Sequence, residues 1–349
     1  MRKMSFRGWL TTITLVLLAV VIFFAWPEIV EAWRLLDQVN LWILALLLPV
    51  QLFSYFATGG MIFSYLRAKG DLKQVSRWGM TRIALELNFV NHILPSGGAA
   101  GFSYLGWVLS RVGVRPGRST MAQIIRFALT FLSFVVLLVG AVLVLIIDQQ
   151  INRIVIALCL FLAVMAVGTT IGAIYIIGSE RRLRRFSAWL TRKVNGFVRR
   201  VTRGRKERVL ADSIILDFFM DLHDDFKGIR KDKRILIRPF VWAILANIAD
   251  VALLWIAFWA LGYMVNPAIL FVAFGLSSIV GALTATPGGA GAYEAIMITF
   301  LASTGIPPEI AIAGTLLARV TLVLGTILFG YGFYQLTVNK YGRNPVLRK

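Results

Sequence analysis

Residues 91–102 read NHILPSGGAAGF, and residues 285–294 read ATPGGAGAYE. Each places a proline and a run of glycine and alanine inside strongly apolar sequence. Proline within a helix removes a backbone hydrogen bond and clashes with the preceding turn, and glycine weakens what remains. The chain therefore interrupts an apolar helix twice, in nearly the same words.

The sequence around these breaks belongs to a membrane protein. Of the 349 residues, 58% are hydrophobic, whereas soluble domains lie near about 45–50%. The formal charge is +20, from 37 Lys and Arg against 17 Asp and Glu. In a soluble chain that balance would point to nucleic acid; here the charges are first placed against the membrane, and no nucleic-acid partner is expected. The single cysteine, Cys159, lies in an apolar run and allows no disulfide within the chain.

A spanning helix needs about 20 apolar residues. Residues 11–26, 41–66, 121–147, 154–178, 239–262 and 310–336 meet that need, and 11–26 lacks the small-residue cleavage pattern of a signal peptide. Two apolar segments remain, 83–109 and 268–304, and each holds one broken motif. Basic residues concentrate in 1–9, 67–82, 111–118, 179–238 and 340–349, which hold 33 of the 37. The positive-inside rule puts all five stretches on the cytoplasmic side only if each leftover segment enters and returns. The arm 83–94 would measure roughly 18 Å at the helical rise, too short to cross. The expected fold is an all-α polytopic membrane protein, one integral membrane domain over residues 1–349. It would have about six full transmembrane helices plus two re-entrant helical hairpins, with both termini cytoplasmic.

Aligning the prolines relates the two halves. Gly113, Pro116 and Arg126 follow Pro95 by 18, 21 and 31 residues; Gly305, Pro308 and Arg319 follow Pro287 by 18, 21 and 32. Gly97 and Gly98 are matched by Gly288 and Gly289. The repeating unit is span, hairpin, span, over approximately 41–147 and 239–336, and the charge pattern inverts one copy relative to the other. Inverted repeats with discontinuous helices are how many secondary transporters build a midplane site. Helices starting after each Pro-Gly-Gly would aim free N–H groups inward, where they favour an anion.

Ionisable residues inside a bilayer are costly and face a cavity or each other. Glu86, Arg126, Asp250, Glu294 and Arg319 are of this kind. Arg126 and Arg319 hold matching places and are candidate phosphate or carboxylate partners; the alternative pairs them with Glu86, Glu294 or Asp250. Asn88, Asn91 and His92, on the entering arm, are candidates for head-group contact or for bonding backbone freed at Pro95. A histidine is also the residue type that would suit a proton-coupled step, which makes His92 a candidate relay. The acidic run LDFFMDLHDDF at 216–226 looks like a metal cluster, but Leu210, Ile214, Phe218, Leu222 and Phe226 form an apolar stripe. It reads as an amphipathic helix, and neither a metal nor a cofactor is expected. The preceding stretch 181–208 interleaves arginines with aromatics, as a helix on an anionic inner leaflet does.

With these motifs in hand, the chain resembles the lysylphosphatidylglycerol synthase transmembrane-region (flippase-like domain) family. NHILPSGG at 91–98, TPGGAGAYEA at 286–295 and GIPPEIAIAGTLLAR at 305–319 carry the resemblance. It implies a prokaryotic cytoplasmic-membrane protein linked to moving aminoacylated phospholipid between leaflets. Asn91, Pro95, Gly288, Gly289, Glu294 and Arg319 sit where the family keeps its pattern. Members that make the lipid continue into a soluble aminoacyl-transferase domain, which is not expected within these 349 residues. Members also place an acid or arginine soon after the first Pro-Gly motif, where AAGFSYL stands at 99–105.

The expected function is a lipid translocase for an anionic or aminoacylated phospholipid or a polyprenyl-phosphate lipid, with a polar furrow open to the bilayer. The expected partners are membrane lipids, anionic inner-leaflet head groups and a separately encoded lipid-modifying enzyme. Competing readings are a membrane-embedded enzyme, a partner subunit and a small-solute or ion carrier. No nucleophile–base motif, metal signature or P-loop supports catalysis or ATP-driven pumping.

Overall fold

The fold is that of a computed structural model, which describes residues 39–93, 99–148, 153–201, 212–284, 286 and 289–341, with Phe23, Trp26, Val30 and Arg34. The first expected span, 11–26, therefore lies almost wholly outside the described residues, as do Pro95, Gly97, Gly98, Pro287 and Gly288. All regular structure among the described residues is helical. A short helix α1 (Leu41–Ala45) leads into α2 (Leu47–Ala68), α3 (Arg77–Ile93), α4 (Ala99–Arg111), α5 (Pro116–Ile147), α6 (Arg153–Ile177), α7 (Glu180–Val201) and α8 (Asp212–Lys231). A 3₁₀ turn (Lys233–Leu236) precedes α9 (Ile237–Ala260), α10 (Pro267–Leu283), α11 (Ala292–Ser303) and α12 (Pro308–Tyr341). Among the described residues five stretches are long and apolar enough to cross a membrane: Leu41–Ala68, Pro116–Ile147, Val155–Ile177, Lys233–Ala260 and Pro308–Lys340. The protein is a multi-pass, all-α membrane protein.

Local chemistry sets the helix ends. Asn40 Oδ1 accepts from the N–H groups of Trp42 and Ile43 at 3.1 and 3.3 Å, satisfying first-turn donors of α1. Ser76 Oγ accepts from Gly79 N–H at 3.0 Å, so α3 begins at Arg77, earlier than the expected 83. Its 17 residues give roughly 26 Å at the helical rise, longer than the arm read from the sequence. Pro116, Pro267 and Pro308 each open a helix, where a missing N–H costs nothing.

The repeated glycines share one function. Gly113 has φ +85° and Gly305 +92°. Val114 N–H returns to Leu109 O at 3.0 Å and Ile306 N–H to Leu301 O at 3.3 Å, each closing the end of a helix. Gly70 and Gly262, with φ +87° and +78°, make the same turn: Asp71 N–H bonds Leu66 O and Tyr263 N–H bonds Phe258 O. Gly70 and Gly262 stand 192 residues apart, the spacing that also separates Gly113 from Gly305 and Pro116 from Pro308.

Packing repeats the same relation. α2 lies along α9, α3 packs on α12 and α10 on α5, while α3 packs on α4 and α10 on α11. α3 and α10 thus rest each on the last long helix of the other half, while α4 and α11 rest on that of their own, α5 and α12. Polar side chains hold two further crossings. Gln51 on α2 donates to Leu322 O of α12 at 2.7 Å and to Tyr55 Oη at 2.6 Å. Asn247 on α9 donates to Ser133 Oγ and Thr130 O of α5 at 2.6 and 3.1 Å. Interhelical hydrogen bonds take a larger share of packing in lipid, where apolar burial between helices drives little.

The outer faces suit hydrocarbon. On α5, Leu132, Val136, Val139 and Leu143 are exposed at helical spacing, while Leu138, Ala141 and Leu145 are buried. α7 and α8 pack on each other, and α8 on the start of α5. Leu183 and Leu222 are buried there, and His223 Nδ1 donates to Ile177 O at 2.7 Å. Two acids of the LDFFMDLHDDF run form separate ion pairs. Asp225 meets Arg118 at 3.5 Å and Asp224 meets Lys227 at 3.6 Å.

Candidate functional site

A polar cavity of about 390 Å³ lies among α2, α3, α9, α10, α11 and α12. α2 supplies Ser54, Tyr55 and Thr58, α3 supplies Asn88, Asn91 and His92, and α9 supplies Asp250. Ser278 and Gly281 come from α10, Thr284, Thr286 and Gly289 from the turn after it, Tyr293 from α11 and Arg319 from α12. Six of the residues expected from the sequence therefore meet in one place: Asn88, Asn91, His92, Asp250, Gly289 and Arg319.

Each polar group has a defined setting. Ser54 Oγ donates to Asp250 Oδ1 at 2.5 Å, so the repeats touch at the cavity wall. No lysine or arginine forms an ion pair with Asp250 among the described residues. Arg319 Nε donates to Glu294 Oε1, and its guanidinium lies 4.6 Å from the centroid of the Tyr293 ring. Asn88 Nδ2 bonds Ala84 O at 2.9 Å and His92 Nδ1 bonds Asn88 O at 2.8 Å, so both close onto their own helix. Asn91 differs. Its Oδ1 is buried against Gly101 of α4, where a side chain would collide with it, and has no hydrogen-bond partner among the described residues.

The turn after α10 needs its glycines. Gly289 has φ +74°, and a Cβ there would lie 2.7 Å from Gly281 Cα. Backbone meets backbone where a side chain would stand, which lets α11 start beside the end of α10.

Three expected residues lie elsewhere. Glu294 is behind the cavity wall: its Oε2 accepts from Gly291 N–H at 2.7 Å while Oε1 accepts from Arg319. The first turn of α11 is thus served by the protein's own carboxylate, and the pairing read as an alternative for Arg319 is the one present. Glu86 is fully buried away from the cavity, accepting from Tyr104 Oη at 2.7 Å and Thr337 Oγ1 at 2.6 Å and meeting Arg82 Nε at 3.2 Å. It locks α3 to α4 and α12. Arg126 is not among the cavity residues; its guanidinium rests 4.4 Å from the Phe127 ring centroid, and its Nε has no hydrogen-bond partner among the described residues.

Sequence reasoning missed Ser54, Tyr55, Thr58, Ser278, Thr284 and Thr286, because lone hydroxyls in apolar helices carry no charge signal. One signal was present. Gln51 and Ser54 on α2 have the spacing of Asn247 and Asp250 on α9, and in the fold the second members of the two pairs bond each other.

A second, apolar cleft of about 300 Å³ adjoins the polar cavity. The two share Asp250, Phe274, Ser278 and Ala282. The cleft runs between α5, α6 and α10, past Phe131, Phe134 and Leu162, to Leu283 (81% exposed) and Met165 (41%) on the lipid-facing surface.

Comparison with known proteins agrees with this architecture. The sequence profile described as the lysylphosphatidylglycerol synthase TM region matches residues 10–330. A UPF0104 membrane protein of Methanothermobacter thermautotrophicus is 23% identical over 232 residues, 66% of this chain and 67% of the relative. A UPF0104 membrane protein of Methanocaldococcus jannaschii is 36% identical over 90 residues, 26% of each chain. The profile covers nearly all of the described helices, both hairpin pairs and every residue of the cavity, and on that ground the chain belongs to the lysylphosphatidylglycerol synthase TM region family.

Proposed function

We propose that the protein is a lipid translocase whose substrate head group occupies the polar cavity while an acyl chain stays in the adjoining cleft. The observation that carries this reading is the shared wall of Asp250, Phe274, Ser278 and Ala282 between a polar cavity and an apolar cleft that reaches the lipid surface. An amphiphile needs both compartments joined; a small solute or ion needs only the first, sealed from lipid. The polar groups favour a phospholipid whose head group carries an amine. Arg319 is the cation facing the cavity and suits a phosphate. Asp250 offers an acceptor to an amine. The family's name contains lysylphosphatidylglycerol, an aminoacylated phospholipid, and such a lipid has both groups.

In this reading the units form inverted repeats, α3–α4 and α10–α11 are re-entrant hairpins, and both termini face the cytoplasm of a prokaryotic cell. The positive-inside count and the exchanged packing of the units support it. The family's link to an aminoacylated lipid equally suits a separately encoded enzyme as the source of that substrate.

The test is reconstitution into liposomes containing head-group-labelled lipid, with quenching by a membrane-impermeant reductant. Wild type should expose inner-leaflet lipid faster than empty liposomes, and Asp250→Asn and Arg319→Gln should slow it at least tenfold. Ser278→Phe, which fills the shared wall, should do the same. Equal rates for wild type and all three folded variants, across anionic, zwitterionic and aminoacylated lipids, would overturn the reading.

A further inference from the structure

A larger cleft, about 750 Å³, lies outside the polar cavity, where α2, α3, the 3₁₀ turn and α9 meet. Four arginines line it: Arg67 from the end of α2, Arg77 from the start of α3, Arg234 from the 3₁₀ turn and Arg238 from the start of α9. All four are exposed, and none forms an ion pair with a carboxylate among the described residues. The neighbouring acids are otherwise engaged. Asp71 pairs with Arg118 at 3.1 Å, and Asp232 Oδ1 accepts from the backbone N–H of Arg234 at 3.1 Å. Arg67 makes one polar contact within the protein, to Val75 O at 2.9 Å. Four guanidinium groups from separate elements therefore converge on one concavity with no carboxylate partner among the described residues.

Away from the arginines the cleft becomes apolar. Phe56 and Trp242 pack edge to face, with centroids 5.2 Å apart, beside Phe63, Met80 and Ala84. Gly60 forms part of the floor. A Cβ there would come within 2.7 Å of the Trp242 ring, so glycine allows the indole to lie flat against α2 and keeps the cleft open above it. Ordinary interfacial arginines each extend separately into the head groups. Here they share one site, and its walls continue into the hydrocarbon.

We infer that this cleft binds a phospholipid of net negative charge from the leaflet on the basic side of the membrane. Its phosphate and head group sit among Arg67, Arg77, Arg234 and Arg238, and one acyl chain lies along Phe56, Phe63 and Trp242. Guanidinium groups match phosphate oxygens in paired hydrogen bonds, and four uncompensated charges favour a net anionic lipid over a zwitterionic one. The inference stands whether or not the protein moves lipids, because the cleft shares no lining residue with the polar cavity.

Native mass spectrometry of the full chain in detergent, with added phosphatidylglycerol or phosphatidylcholine, tests it. One tightly held phosphatidylglycerol is expected, retained at least tenfold better than phosphatidylcholine. The variant carrying Arg67→Gln, Arg77→Gln, Arg234→Gln and Arg238→Gln should lose that preference. Removing four charges elsewhere (Arg181, Arg184, Arg185 and Arg192 to Gln on α7) should leave it intact. Phosphatidylglycerol with brominated chains should quench tryptophan emission in wild type more than in Trp242→Phe. Equal loss in both charge variants, or undiminished retention in the first, would overturn the site. Displacement of the lipid by millimolar inorganic phosphate would overturn the lipid assignment in favour of a soluble anion.

Discussion

The Glu294–Arg319 pair allows the sharpest test of how this cavity is built. Both side chains are nearly buried, at 7% and 12% exposure. Glu294 does two things: it accepts from Gly291 N–H at the head of α11 and pairs with Arg319 across to α12. Breaking a buried pair from one side costs about 3–5 kcal/mol, because the other charge is left unpaired. Losing a helix cap costs about 1 kcal/mol more. Glu294→Ala should therefore destabilise the fold by about 4–6 kcal/mol. Glu294→Gln keeps an amide oxygen for Gly291 and should cost about 3–5 kcal/mol. Arg319→Met, which keeps its stem over the Tyr293 ring, should cost a similar amount. The double variant Glu294→Gln/Arg319→Met has no buried charge and retains the cap, so it should lie within about 2 kcal/mol of wild type. Equilibrium unfolding in mixed dodecylmaltoside–SDS micelles measures all four corners of the cycle. A coupling energy of about 3 kcal/mol or more is expected. Additive single effects of about half a kcal/mol each would mean both charges are well solvated, and the argument that Glu294 is a wall element would fail.

Three further outcomes follow from the same geometry. Gly289→Ala should cut the yield of folded protein sharply, since a side chain there meets Gly281 backbone at positive φ. Gly305→Ala, also at positive φ but with open space around it, should cost only about 1 kcal/mol in the same unfolding assay. Gln51→Leu removes the donor to Leu322 O that joins α2 to α12, and with it a bond to Tyr55 Oη within α2; the loss should be about 1–3 kcal/mol, read as a lower unfolding midpoint, and no change would show the bonds to be unimportant. Burial raises the Asp225 carboxyl above the ordinary aspartate value despite the nearby Arg118. The folded chain then holds that proton more tightly than the unfolded chain, so the stabilisation is complete below the unfolded value, near about pH 4, and is lost as pH rises through the folded one. Asp225→Asn should flatten that part of the stability profile in thermal melts; an unchanged slope would place its origin elsewhere.

Much of the architecture was legible because it rests on local signals. Long apolar runs announce spans, and proline opens α5, α10 and α12 where the helix has an N–H to spare. Gly113 and Gly305 recur because a helix end at that place needs a positive φ. The same reasoning applied to Gly70 and Gly262 would have extended the repeat, but two glycines in polar loops carry no apolar pattern to draw attention to them. The start of α3 was placed too late, since Ser76 caps a helix whose first turn is polar and lies outside the apolar window.

Pairing was not legible. Glu86, Arg126, Glu294 and Arg319 are alike on paper as charges in apolar sequence. Only in three dimensions does Glu86 turn to Tyr104 and Thr337, Glu294 turn to the α11 turn and to Arg319, and Arg126 leave the cavity. The cavity itself depends on the crossings of α3 on α12 and α2 on α9, which bring together residues some 200 positions apart, such as Ser54 and Asp250. The sequence by itself determined that this chain is an all-α, multi-pass membrane protein, because hydrophobic length and helix caps act over one or two turns. The tertiary structure alone decided which polar groups are spent on holding helices together and which face a ligand. A buried charge takes whichever partner the packing brings within hydrogen-bond reach, and that partner has no fixed distance along the chain.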